Sequence, residues 1–71
     1  MEQYPTRRVS RRYFLKKMRD VKSTIRYDME DYIFDHSEDL SHFEFGRIPG
    51  HRIYKIVLKN GTAKEWSLTK N

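Results

Sequence analysis

From Ser10 to Phe34 the chain runs for 25 residues without a glycine or proline. Its apolar residues recur at helical spacing. At about 100° per residue, Phe14, Met18, Val21, Ile25, Met29 and Tyr32 fall within about 80° of one another, the stripe expected of a helix lying on a core. Arg8, Arg12, Lys16, Arg19 and Arg26 form a second stripe, centred about 120° round the cylinder from the first. The prediction is an amphipathic helix with one apolar and one cationic face, and the rest of the chain must supply the cover for the apolar one.

Ser10 is placed to cap this helix, although Tyr13 stands where a capping box requires Glu or Gln, and Thr6 is a competing cap. The helix charges oppose its macrodipole, with Arg11 and Arg12 at the positive end and Asp28, Glu30, Asp31 and Asp35 toward the negative one. Each mismatch costs a few tenths of a kcal/mol, up to about 1 near a terminus. A break near Tyr27 would relieve this by letting Lys22 and Arg26 close one helix and Asp28 cap a second. Yet Ile25, Met29 and Tyr32 stay in phase, and burying several such side chains at roughly 1.5–3 kcal/mol each outweighs the mismatch. One continuous or gently bent helix over 10–34 is therefore expected.

Beyond it, DHSEDLS (35–41) reads as a polar turn anchored by Leu40, because Ser and Asp side chains compete for local backbone groups. The period then changes from helical to alternating. HFEFGRI (42–48) alternates and ends on the turn pair Pro49-Gly50, HRIYKIVLK (51–59) is rich in β-branched residues, and Asn60-Gly61 turns the chain back into TAKEWSLT (62–69). A two-residue turn there would split the large apolar residues between two faces. A three-residue loop, Lys59-Asn60-Gly61 with Gly61 left-handed, instead pairs Tyr54 with Trp66 and Ile56 with Lys64, and burial selects it. The far face would carry Ile53, Lys55 and Val57 beside Ala63, Glu65 and Ser67.

The expected fold is thus a small α+β domain, one N-terminal helix on a three-stranded antiparallel meander. Residues 10–71 form the domain, and 1–9 form a flexible basic arm in which Pro5 disfavours helix at Tyr4. Seventy-one residues suffice for one core and no more. Without cysteine, neither a disulfide nor a thiolate zinc site supplements that core. No apolar run reaches the roughly 18 residues of a membrane span. The opening MEQYPTRRVS lacks the apolar segment of a signal peptide, so a cytoplasmic protein with no membrane partner is expected.

The net charge of +5 conceals three blocks: residues 1–26 carry +7, residues 27–45 carry −7, and residues 46–71 carry +5. Such a layout gives the molecule a directed field whose positive ends attract anions. The leading functional expectation is a non-enzymatic nucleic-acid-binding module, for DNA or RNA. In it Arg7, Arg8, Arg11, Arg12, Lys16, Arg19 and Arg26 meet backbone phosphates, and arginine's planar fork suits that contact. The bland alternative is a solvated helix face.

A second expectation belongs to a different class, a modulator or inhibitor of a host protein, by analogy with compact single-domain proteins of phages and mobile elements. It would act through Asp28, Glu30, Asp31 and Asp35 together with Ile53 and Val57 on the exposed sheet face. A homodimer is compatible with both expectations, because opposite blocks cross-pair under two-fold symmetry.

Other constellations are weak. Phe43, Phe45, Tyr54 and Trp66, interleaved with Arg47, Arg52, Lys55 and Lys64, have the composition of a base-stacking sheet, but the same aromatics are the only large residues available to cover the helix. His36 and His42 with Asp35, Glu38, Asp39 and Glu44 match no structural zinc spacing, so no metal site is expected. No nucleophile is fixed beside a base, and Gly46, Gly50 and Gly61 form no phosphate loop. Neither a cofactor nor a small-molecule substrate is expected.

Overall fold

The computed structural model describes residues 6–69. Strand β1 (Arg7–Val9) is followed by helices α1 (Arg11–Met18) and α2 (Ser23–Asp35), and then by strands β2 (Leu40–Ile48), β3 (His51–Leu58) and β4 (Ala63–Thr69). The strands form one sheet in the order β1-β2-β3-β4, each neighbouring pair antiparallel. Both helices lie on the same face. Phe14, Met18 and Val21 with Met29 and Ile33 pack there on Phe43, Phe45, Tyr54, Ile56 and Trp66.

The single long helix is not formed. After Met18 the backbone bonds tighten to three-residue spacing: Arg19 N donates to Lys16 O, Asp20 N to Lys17 O and Val21 N to Met18 O. A new helix starts at Ser23. The break lies at 19–22, before Ser23, rather than near Tyr27; Asp20 and Val21 there have weak helix propensity. Geometry gives a further reason. A straight helix over 10–34 would be about 37 Å long. The largest principal extent of the whole molecule is 34 Å. Two shorter helices keep all their apolar residues over the sheet, and Ile33, which lies outside the predicted stripe, is buried as well.

Breaking here also corrects part of the dipole mismatch, since Lys16 and Lys17 now occupy the last turn of α1. The mismatch at the first turn remains: Arg11 and Arg12 open α1 with no acid beside them. Ser10 caps that turn by accepting from Tyr13 N at 3.1 Å.

The predicted hairpin register is present. Tyr54 faces Trp66 and Ile56 faces Lys64. Leu58 N donates to Thr62 O and Gly61 N to Leu58 O, with Gly61 at φ +90°. The second turn places Pro49 and Gly50 between the paired Ile48 and His51, with Gly50 at φ +80°, as a type II turn requires. Strand β2 starts two residues earlier than expected, and its register shifts between Leu40 and His42.

A fourth strand is present where a flexible arm was expected. Arg7, Arg8 and Val9 pair with Phe45, Glu44 and Phe43, and Val9 packs against the core. The remainder of the predicted arm, residues 1–5, lies outside the described residues.

The hydroxyl of Tyr54 donates to Lys17 O at 2.8 Å, tying β3 to the carbonyl end of α1. Burial raises the pKa of this phenol. No helix among the described residues is long and apolar enough to cross a membrane.

Candidate nucleic-acid interface

The predicted cationic residues are divided among three elements. Arg7 and Arg8 lie on β1, Arg11, Arg12 and Lys16 on α1 with Arg19 as its C-cap, and Arg26 on α2. Arg12, Lys16 and Arg19 keep their i, i+4, i+7 relation and form a short exposed row. Adjacent strand residues point to opposite sides. Arg7 therefore takes the helix-side register opposite Phe45, and Arg8 the far-side register opposite Glu44. The break in the helix carries Arg26 away from the row, where it is half-buried with its guanidinium 6.0 Å from the Tyr27 ring centroid. Arg26 makes no ion pair with Glu30, its i+4 neighbour on α2.

None of the seven is ion-paired among the described residues. The pairs found there join Arg52 to Asp20 at 3.3 Å, Lys64 to Asp28 at 3.5 Å and His42 to Glu44 at 2.8 Å. Arg47 joins the group by register rather than by helical spacing. It is exposed on β2 and shares a groove of about 350 Å³ with Arg7 and Tyr13. Arg47 is not among the expected phosphate-contacting residues, because β1 and its register beside β2 have no local signal.

The aromatic stacking surface does not exist. Phe43, Phe45, Tyr54 and Trp66 are all buried beneath the helices, where Phe14 meets Phe43 at 4.8 Å between centroids and Tyr54 edge-on at 5.6 Å.

The alternative protein-binding set is also redistributed. Ile53 is 0% exposed and presents no surface, a correction of its expected place on an open sheet face. Its register partners are Gly46 and Ser67, in rows flanked by the longer side chains of Glu44, Lys55 and Glu65. Val57 is half-buried.

Asp28 is occupied too. Trp66 Nε1 donates to its Oδ2 at 2.9 Å, with Lys64 Nζ near the same oxygen. Glu30, Asp31 and Asp35 remain exposed on α2 beside Tyr27 and Phe34, which are 60% and 81% exposed. Sequence reading assigned no role to those two aromatics.

A polar chain crosses the face of the sheet away from the helices. The Thr6 hydroxyl donates to Glu44 Oε1 at 2.7 Å, His42 Nε2 meets Glu44 Oε2 at 2.8 Å, and Ser41 Oγ lies 3.1 Å from His42 Nδ1. The Thr6 bond is the main cause holding the Glu44 carboxyl below its ordinary 4.5, with the His42 bond next. An ionised Glu44 only accepts, so His42 Nε2–H donates to it, and Nδ1 in turn accepts a hydrogen bond from the Ser41 hydroxyl. His36 is elsewhere, stacked at 4.5 Å on Tyr32. Among the described residues no group of three His, Asp or Glu is arranged to hold a metal.

The Asp28 carboxyl also lies below its ordinary 3.8, chiefly through the Trp66 bond. Both depressed carboxyls bind protons less readily folded than unfolded. Their stabilising contribution is present above about pH 5 and is lost as pH falls through about 4 and below. The urea midpoint, followed by Trp66 fluorescence, should therefore fall between pH 5 and 3. The fall should be shallower in the Asp28→Asn, Glu44→Gln double variant; an unchanged slope would show that other carboxylates govern acid stability.

Comparison with protein-family models, with curated proteins and with solved structures finds no match to this chain.

Proposed function

We propose that this protein is a non-enzymatic module that binds nucleic acid through its phosphate backbone, using Arg7, Arg8, Arg11, Arg12, Lys16 and Arg19. One observation carries this reading: six exposed cations on β1 and α1 have no ion-pair partner among the described residues, while the acids gather on α2 and the turn after it. Internal neutralisation would have paired the two blocks. Left apart, the cations keep a field that draws a polyanion and releases its counterions on contact. A cytoplasmic place goes with this reading. The test is binding to a labelled oligonucleotide as salt is raised, with Arg12 and Arg19 intact or replaced by Ala.

A second reading rests on a different observation. Tyr27 and Phe34 stand seven residues apart on one face of α2 with Glu30 and Asp31 between them, and both rings face solvent. An acidic stripe bearing two aromatic anchors suits a basic protein surface, since exposed aromatics are common interface anchors. Under this reading a partner protein stays bound through nuclease treatment and is released by the Tyr27→Ala, Phe34→Ala double variant. A partner that nuclease alone removes counts for the first reading.

A further inference from the structure

Where β1 runs into α1, the chain passes over the start of β2 and leaves a groove of about 410 Å³. Arg8 and Arg11 line one side, and Ser37, Ser41 and His42 the other. No carboxylate lines it, although Asp35, Glu38 and Asp39 are close in sequence. Neither guanidinium has an ion-pair partner among the described residues.

The far wall is built by the irregularity at the start of β2. The register shift between Leu40 and His42 leaves Ser41 as the extra residue. A bulge of this kind re-aims a side chain out of the strand's alternation. Ser41 is thereby placed with its hydroxyl on His42 Nδ1, while Glu44 and Thr6 fix the other side of the ring. The row Ser41–His42–Glu44–Thr6 sets the position of one hydroxyl at the mouth of a groove with two forked cations. Arginine forks match the oxygens of a phosphate.

We propose that this groove seats a single phosphate group, held by the guanidinium groups of Arg8 and Arg11. Ser41 and His42, bonded to each other and through His42 to Glu44, form the groove's far wall. The inference rests on the nucleic-acid reading for the source of the phosphate, and it adds a discrete seat to what would otherwise be a diffuse cationic track.

The test is a 1H–15N NMR titration of the whole chain with three probes: inorganic phosphate, a short oligonucleotide bearing a 5′-phosphate, and the same oligonucleotide with a 5′-hydroxyl. The amides of Ser37, Ser41 and His42 and the side-chain Nε–H signals of Arg8 and Arg11 should move together. An Arg8→Gln, Arg11→Gln double variant should weaken phosphate binding by about tenfold or more. Both substituted side chains are exposed, so a dispersed spectrum is expected and shows that the variant is folded. Movement with both oligonucleotides assigns the seat to a backbone phosphate, and movement with the phosphorylated one alone assigns it to a strand end; either supports the proposal. Response to inorganic phosphate without any oligonucleotide binding also supports the seat and removes the nucleic-acid reading. Oligonucleotide binding that shifts Arg12 and Arg19 but leaves Ser37, Ser41 and His42 unmoved overturns the seat and leaves that reading standing.

Discussion

Replacing Phe14 with alanine should lower the free energy of unfolding by about 3–5 kcal/mol, the range for removing a fully enclosed aromatic ring. The ring is 0% exposed and is wedged between Phe43 and Tyr54, so α1 has no neighbouring side chain able to fill the space. A 71-residue chain has roughly 4–10 kcal/mol of total stability to lose. The variant should therefore be largely unfolded under conditions where the parent is folded. Urea unfolding followed through Trp66, the single tryptophan, measures the change directly. Leu15, one residue on and 40% exposed, is the control, since its replacement should shift stability by only about 0.5 kcal/mol. Equal effects at the two positions would mean that α1 does not lie on the sheet through Phe14.

That contrast between neighbours was legible in the sequence because it depends on phase alone. Phe14 and Met18 fall in the apolar stripe and Leu15 does not. The hairpin between β3 and β4 was legible for a similar reason: only one loop length puts Tyr54, Ile56 and Trp66 on one face, and a half-buried sheet punishes the other choice across its whole length.

The helix break was not legible, because phase carries no information about length. Ile25 and Met29 continue the stripe that Met18 and Val21 begin, so a straight and a broken helix have the same pattern. The choice between them depends on how far the sheet extends beneath. Strand β1 was missed for a related cause. Arg-Arg-Val has no alternation to detect, and its pairing partners lie more than 30 residues away in β2.

The candidate site divides along the same line. Exposure of Arg12, Lys16 and Arg19 follows from helical spacing. The gathering of Arg8 and Arg11 beside Ser41 and His42 depends on β1 pairing with β2 and on the register shift at Leu40, both long-range events. Ile53 shows the cost of reading exposure from alternation alone: the period placed it on the far side of the sheet, where it is nevertheless 0% exposed.

With Phe43, Phe45, Tyr54 and Trp66 committed to the core, phosphate contacts have to supply most of the affinity. If five of the exposed cations each neutralise one phosphate of a duplex, the logarithm of affinity should fall with the logarithm of salt at a slope of about −4.5. Raising salt from about 50 to about 200 mM then weakens binding by about 500-fold. Replacing Arg12 and Arg19 with Ala removes two contacts, which lowers the slope to about −2.7 and the loss over the same salt range to about 40-fold. Duplexes of unrelated sequence should give the same values, because phosphate contacts position a protein without reporting base identity. Fluorescence anisotropy with two such duplexes at four salt concentrations measures all three quantities. Affinity that is flat in salt, or a slope unaltered by the double substitution, would remove the phosphate-binding role from α1 and leave the aromatic-acidic face of α2 as the surface to pursue.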